Sequence, residues 1–105
     1  MSKKVVAYVP DLMDRSKVAG AGADVTFVAR PADLPAAVTS AGAELVVVDL
    51  TRPGVVDVLG DVGAPVVGFA NHTNRQAMEE AAAAGADQVL ARSAFFSRLD
   101  ELLGG

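Results

Sequence analysis

Apolar residues along the chain form five short continuous runs, separated by segments in which they recur every three to four positions. Continuous runs are typical of strands buried on both faces, and the wider spacing is typical of helices. The pattern predicts five strands, at residues 4–9, 25–29, 45–49, 66–70 and 88–91. Strands that alternate with helices predict right-handed crossovers and a parallel sheet.

A Gly-Ala pair precedes each of the last four predicted strands. The pairs begin at residues 22, 42, 63 and 85, which are 20, 21 and 22 positions apart. Glycine is the usual residue directly after a helix, so each pair predicts a helix end followed by a turn. Helices are predicted over 12–19, after Asp33, from Val55, after a Thr73–Gln76 capping box and after Ser93. We expect Gly104-Gly105 to be a frayed helix end.

Composition excludes several classes of protein. A chain of 105 residues predicts one domain over positions 1–105, and a net charge of -4 gives no basic surface for nucleic acid. The absence of cysteine excludes disulfides and thiol chemistry and is typical of a reducing compartment. No apolar stretch has the length of a membrane span, and the first one is too short for a signal peptide. We therefore expect a cytoplasmic domain that binds neither nucleic acid nor membrane.

One carboxylate stands at the end of the most apolar strand. The run 45–49 is apolar up to its last residue, Asp49, and a Pro53-Gly54 turn follows. Open α/β sheets place their functional groups just beyond the carboxyl ends of the strands. Asp49 is therefore the principal candidate for a functional residue, and capping of the next helix is its alternative role.

The order and spacing of these segments resemble the response-regulator receiver family, the CheY-like proteins with a flavodoxin-like fold. Asp49 and Pro53 stand where that family has its phospho-acceptor aspartate and a following proline. Pro65-Val66-Val67 opens the fourth strand and Gly85-Ala86-Asp87 precedes the fifth, as in the family. The resemblance covers nearly the whole chain. It implies a doubly wound five-stranded sheet of order 2-1-3-4-5 and a role in two-component signal transduction.

Most positions of the family's phosphorylation switch carry other residues here. The acidic pair after the first strand reads Pro10-Asp11, and the hydroxyl residue that ends the fourth strand is Ala70. The switch aromatic of the fifth strand is Val89, and the lysine that follows this strand is Arg92. The resemblance therefore implies a receiver scaffold that has lost much of its switch, a pseudo-receiver.

A weak magnesium site is the only cofactor site that the resemblance implies. Phosphoryl transfer to a carboxylate needs Mg²⁺, which takes octahedral oxygen ligands, here Asp11, Asp49 and the carbonyl of Thr51. With one acid missing we expect poor binding, and Asp11 has helix capping as its alternative role. A guanidinium binds a carboxylate through a planar fork, so Arg92 is expected to pair with Asp49 or Asp11.

Three functions remain open. The leading hypothesis is an atypical stand-alone receiver-like domain that binds a regulatory protein, either a histidine kinase or an output protein, with a homodimer as alternative. The second is a phosphorelay receiver phosphorylated on Asp49, and the third is a flavodoxin-like module for a small ligand. No nucleophile–base pair is recognisable, so we do not expect an enzyme. His72, in the loop after the fourth strand, is expected to be solvated.

The predicted partner surface consists of the fourth helix, fifth strand and fifth helix, where receivers of the family usually dock. On the last predicted helix, Phe96 lies next to the row of apolar residues that is expected to face the core, and it is the candidate contact anchor of this surface. The alternative is that Phe96 packs beneath the Ala-rich fourth helix.

Overall fold

A computed structural model, which describes residues 2–104, contains a single five-stranded sheet. Its order is β2-β1-β3-β4-β5, and all neighbouring strands are parallel. The strands are β1 (Lys4–Tyr8), β2 (Asp24–Phe27), β3 (Leu45–Asp49), β4 (Val66–Ala70) and β5 (Gln88–Ala91). The predicted doubly wound fold and strand order are therefore confirmed.

The helices alternate with the strands. They are α1 (Leu12–Ala19), α2 (Leu34–Ala41), α3 (Val55–Val58), α4 (Arg75–Ala84), α5 (Arg92–Ser97) and α6 (Leu99–Leu103), with short 3-10 turns before α2 and after α3. Gly104 follows α6, and Gly105 lies outside the described residues. No helix within residues 2–104 has the length and apolar character needed to cross a membrane.

Two apolar cores cover the two faces of the sheet. Side chains of a strand point alternately to opposite faces, so Val47 and Phe69 face the core beneath α1, α5 and α6. Val46 and Val48 face the core beneath α2, α3 and α4. Because both faces are covered, β3 and β4 are buried along their whole length.

The ends of several helices differ from the sequence prediction. The side chain of Asn74, not Thr73, caps α4 by accepting a hydrogen bond from the Ala77 amide at 3.2 Å. The predicted last helix is two helices, because at Arg98 the backbone leaves helical geometry (φ -107°, ψ 13°). The break could not be predicted because the apolar residues that face the core keep their helical spacing from α5 into α6.

The predicted glycine stops hold at two of the four Gly-Ala pairs. Gly42 and Gly85 are the C-caps of α2 and α4 and have positive φ, which residues with a Cβ rarely adopt. Helix α1 ends earlier, at the C-cap Gly20, so Gly22 has its positive φ in the turn beyond it, and Gly63 does not have a positive φ. The segment before Gly63 ends in a 3-10 turn through Asp61 and an extended Val62, so this chain reversal needs no left-handed residue.

Candidate functional site

Asp49 lies at the carboxyl end of β3, where the prediction placed it. It pairs in register with Phe69 of β4. Strand alternation directs its side chain to the face that carries α1 and α5, like that of Val47 two residues earlier. Its side chain is only 4% exposed, so Asp49 is a buried carboxylate at the functional edge of the sheet.

Both carboxylate oxygens of Asp49 have partners from the loop that follows it. Oδ1 accepts hydrogen bonds from the Thr51 amide at 3.0 Å and from the Thr51 hydroxyl at 2.6 Å. Oδ2 lies 3.5 Å from Nε of Arg52. The loop therefore gives Oδ1 two hydrogen bonds and places a cation beside Oδ2.

Asp11 serves as the N-cap of α1. Its backbone is extended and its Oδ1 accepts a hydrogen bond from the Asp14 amide at 3.0 Å. Such a cap satisfies one of the free amide groups at a helix start and is worth about 1 kcal/mol. The structure thus shows Asp11 in the alternative role that the sequence left open.

The pairing predicted for Arg92 with Asp49 or Asp11 is wrong, because Arg92 binds Asp14. Nη1 donates to Oδ2 of Asp14 at 2.8 Å, and Nη2 donates to Oδ1. Asp14 lies in the first turn of α1 with its side chain 3% exposed, whereas that of Arg92 is 39% exposed. This bidentate pair joins α1 to the start of α5 across the carboxyl edge of the sheet.

The choice of partner has a physical reason. Asp49 is already satisfied by Thr51 and Arg52, whereas Asp14 offers two buried oxygens that match the guanidinium fork. The hydrogen bonds to Asp14 raise the pKa of Arg92, against the lowering effect of burial. The negative charges of Asp14, Asp49 and Asp11 raise it further. Arg92 is therefore a fixed cation surrounded by acids.

The residues proposed for magnesium do not fit such a site as arranged here. Oδ1 of Asp11 is used by the helix cap, and the oxygens of Asp49 are used by Thr51 and Arg52. Among residues 2–104, no group of three or more His, Asp or Glu side chains is placed to hold a metal ion. Mg²⁺ prefers near-ideal octahedral oxygen ligation, which these residues would have to rearrange to provide.

Two further positions of the expected switch are part of the cores. Ala70 ends β4 fully buried against the core beneath α2, α3 and α4, where its methyl group offers no hydrogen bond. Val89 of β5 is half-buried against the same core. Neither side chain can make a polar contact with a group on Asp49.

Phe96 is half-buried in an aromatic cluster with Phe69 and Phe95. Its ring packs edge-on against Phe69 at 5.3 Å and Phe95 at 4.9 Å between centroids. Lys17 and Arg92 each place their cationic group 5.1 Å from its centroid. The cluster belongs to the core beneath α1 and α5, so the alternative that Phe96 packs beneath α4 is wrong.

Two exposed apolar residues flank the site and were missed by the sequence analysis. Leu12 and Met13 are 78% and 74% exposed, and no other large apolar side chain is so exposed in the part of the chain that the structure describes. The sequence did contain a sign of this arrangement. Asp14 lies four residues before the buried Val18 and therefore shares the helix face that is buried, which leaves Leu12 and Met13 on other faces. His72 is exposed, as expected.

Comparison with known proteins gives the fold an independent reference. No protein-family model and no curated protein sequence matches this chain. Among solved structures, it is similar to a response regulator from Hahella chejuensis, with 20% identity, a TM-score of 0.81 and 96% and 92% of the two chains covered. The chemotaxis response regulator CheY4 of Vibrio cholerae has 18% identity, a TM-score of 0.79 and 97% and 96% coverage.

A third similar structure contains a partner protein. It is the receiver domain of the Saccharomyces cerevisiae response regulator Ssk1, in a co-crystal with the histidine phosphotransfer protein Ypd1. The identity is 9% and the TM-score 0.72, with 87% of this chain and 79% of that chain covered. The chain therefore has the fold of response-regulator receiver domains over nearly its whole length.

Proposed function

We propose that this chain is an atypical receiver-like regulatory domain, which acts by binding a protein partner and is not switched by phosphorylation. The observation that carries the proposal is the state of Asp49. Its side chain is 4% exposed, its Oδ1 accepts two hydrogen bonds from Thr51, and its Oδ2 lies 3.5 Å from the Arg52 guanidinium. A phosphoryl donor would have to displace these contacts before it reached the carboxylate.

The cation at the site supports the same proposal. Arg92 occupies the position of the family's lysine, and both of its terminal nitrogens bind Asp14. Breaking a bidentate pair with a buried carboxylate leaves an unpaired buried charge, which is costly. Arg92 is therefore not free to follow a phosphoryl group on Asp49. Ala70 has no hydroxyl with which to transmit such a change.

An exposed apolar pair at the start of α1 supports the protein-binding part. Leu12 and Met13 stand directly after Asp11, at the same edge of the sheet as Asp49. Adjacent exposed apolar side chains beside polar groups are typical of the centre of a protein interface. The partner would be a histidine kinase, a phosphotransfer protein or an output protein in the cytoplasm. The Ssk1 receiver, which shares the fold, is bound to a phosphotransfer protein.

The surface of α4, β5 and α5 remains a second predicted docking face, with a homodimer as one of its uses. Phe96 lies at its border, but the ring is held by Phe69, Phe95 and the two cations around it. Its role as a contact anchor stays a prediction. We propose no catalytic step for this domain.

Site-specific photo-crosslinking in the native cell tests the partner surface. A p-benzoylphenylalanine residue at position 13 is expected to give a discrete crosslinked complex, because Met13 would lie in the interface. The same residue at Ser40, which is exposed on α2 at the opposite face of the sheet, is the matched control. Equal crosslinking at both positions, or none at position 13, would contradict the proposed surface. The mass of the complex distinguishes a regulatory partner from a second copy.

A further inference from the structure

A cavity of about 360 Å³ opens beside the site, between α1, the loop after β4 and the start of α5. It is formed by Lys17, Asn71, His72, Arg92, Ser93 and Phe96. Asp49 and Thr51 do not line it, although Arg92 borders both the cavity and the site around Asp49. Its volume lies at the lower end of the range for small-molecule sites, about 300–1,000 Å³.

The charge of the cavity lining is opposite to that of the whole chain. Asp and Glu outnumber Lys and Arg by 13 to 9, yet no carboxylate is among the lining residues. Lys17 supplies a positive charge and Arg92 one that Asp14 balances, and Asn71 and Ser93 add an amide and a hydroxyl that donate hydrogen bonds. A cleft lined by one sign of charge concentrates ligands of the other sign.

The ring of Phe96 contacts both cations of the cavity lining. The ammonium of Lys17 and the guanidinium of Arg92 each lie 5.1 Å from the centroid of its ring, and attraction by the ring face offsets part of their mutual repulsion. Asp14 neutralises Arg92, whereas no carboxylate within residues 2–104 lies within 4.0 Å of the Lys17 ammonium. The cavity thus contains a cation without an acidic partner.

We propose that this cavity is a binding site for a small phosphate-bearing metabolite. The phosphate oxygens would accept hydrogen bonds from Lys17, Asn71 and Ser93 and face the outer edge of the Arg92 guanidinium, while Asp14 keeps its two bonds. Charged hydrogen bonds of this kind are roughly twice as strong as neutral ones. The site does not depend on the proposed protein partner or on the state of Asp49.

Titration with inorganic phosphate, followed by amide spectra of the isotopically labelled chain, tests the site. Sodium chloride of equal ionic strength is the reference. Saturable shifts are expected at Lys17, Asn71, Ser93 and Phe96, with a dissociation constant on the order of 1 mM. Lys17→Gln should weaken binding about tenfold. Lys4→Gln removes the same charge at the amino end of β1 and should leave binding unchanged.

Two outcomes would overturn the proposal. Amide shifts that do not saturate with phosphate would show only general screening of charge. The same conclusion would follow if Lys17→Gln and Lys4→Gln weakened binding to the same extent. Binding that is unchanged in Lys17→Gln but altered in Asp49→Asn would place the phosphate at the acceptor instead. That second result would also count against the proposed function, whereas the first would leave it standing.

Discussion

Arg92→Met is expected to lower the free energy of unfolding by about 2–3 kcal/mol. The substitution keeps much of the apolar stem but leaves the carboxylate of Asp14, 3% exposed, without its cation. Removal of one member of a buried pair typically costs about 3–5 kcal/mol. We expect less because the Arg92 side chain is 39% exposed and its charge is partly screened by solvent. Urea unfolding followed by circular dichroism measures the difference.

A surface pair provides the matched control for this prediction. Arg98 binds Glu101 at 3.2 Å, but both side chains are well exposed, at 45% and 70%. Arg98→Met should therefore change stability by no more than about 0.5 kcal/mol. In Arg92→Met/Asp14→Leu neither charge remains, and much of the loss should be recovered. Equal small losses in Arg92→Met and Arg98→Met would show that the Asp14 pair is not structurally important.

Phe95→Ala is expected to destabilise the domain by about 3–4 kcal/mol. Phe95 is fully buried, stacks on Phe69 with 4.7 Å between ring centroids and packs against Phe96. Truncation leaves a cavity where α5 meets β4, and large-to-small changes of this kind cost about 3–5 kcal/mol. A domain of this size is typically stable by about 5–15 kcal/mol, so the variant should still fold.

Phe95→Leu is the control for the aromatic cluster. Leucine retains much of the buried volume, so we expect a loss of about 1–2 kcal/mol in the same urea measurement. A loss in Phe95→Ala below 1 kcal/mol would mean that α5 is not anchored through this ring. The position of Arg92, which follows from the packing of α5, would then need another explanation.

The architecture could be predicted because β3 and β4 are buried on both faces. Their apolar runs leave few alternatives to a central parallel strand, and the observed bounds of both agree with the prediction. The bounds of β2 shift by one or two residues, from 25–29 to Asp24–Phe27, where exposed polar residues alternate with apolar ones. Strands buried on both faces are easy to recognise in the sequence, because burial constrains their residue types more strongly than local strand propensity does.

Helix α1 shows why the site was harder to predict. Sequence reasoning assigns apolar residues to the core and acids to solvent, yet Leu12 and Met13 are exposed while Asp14 is buried. The reversal follows from a tertiary contact 78 positions away, the pair with Arg92. Asp49 could be located from its strand. The partner of Arg92 depended on which carboxylate already had other partners. Only the geometry of the loop that contains Thr51 and Arg52 shows that this carboxylate is Asp49.

The most direct test of the central claim, that Asp49 is no longer a switch, is its response to beryllofluoride, a phosphoryl mimic. Amide spectra with Mg²⁺ and beryllofluoride should show no Asp49-dependent shifts that reach α6 in the wild-type chain. A triple variant, Pro10→Asp/Ala70→Thr/Arg92→Lys, restores the three polar groups and should gain such shifts, which demonstrates that the assay detects a switch. Large wild-type shifts that spread to α6 and disappear in Asp49→Asn would contradict the proposed function.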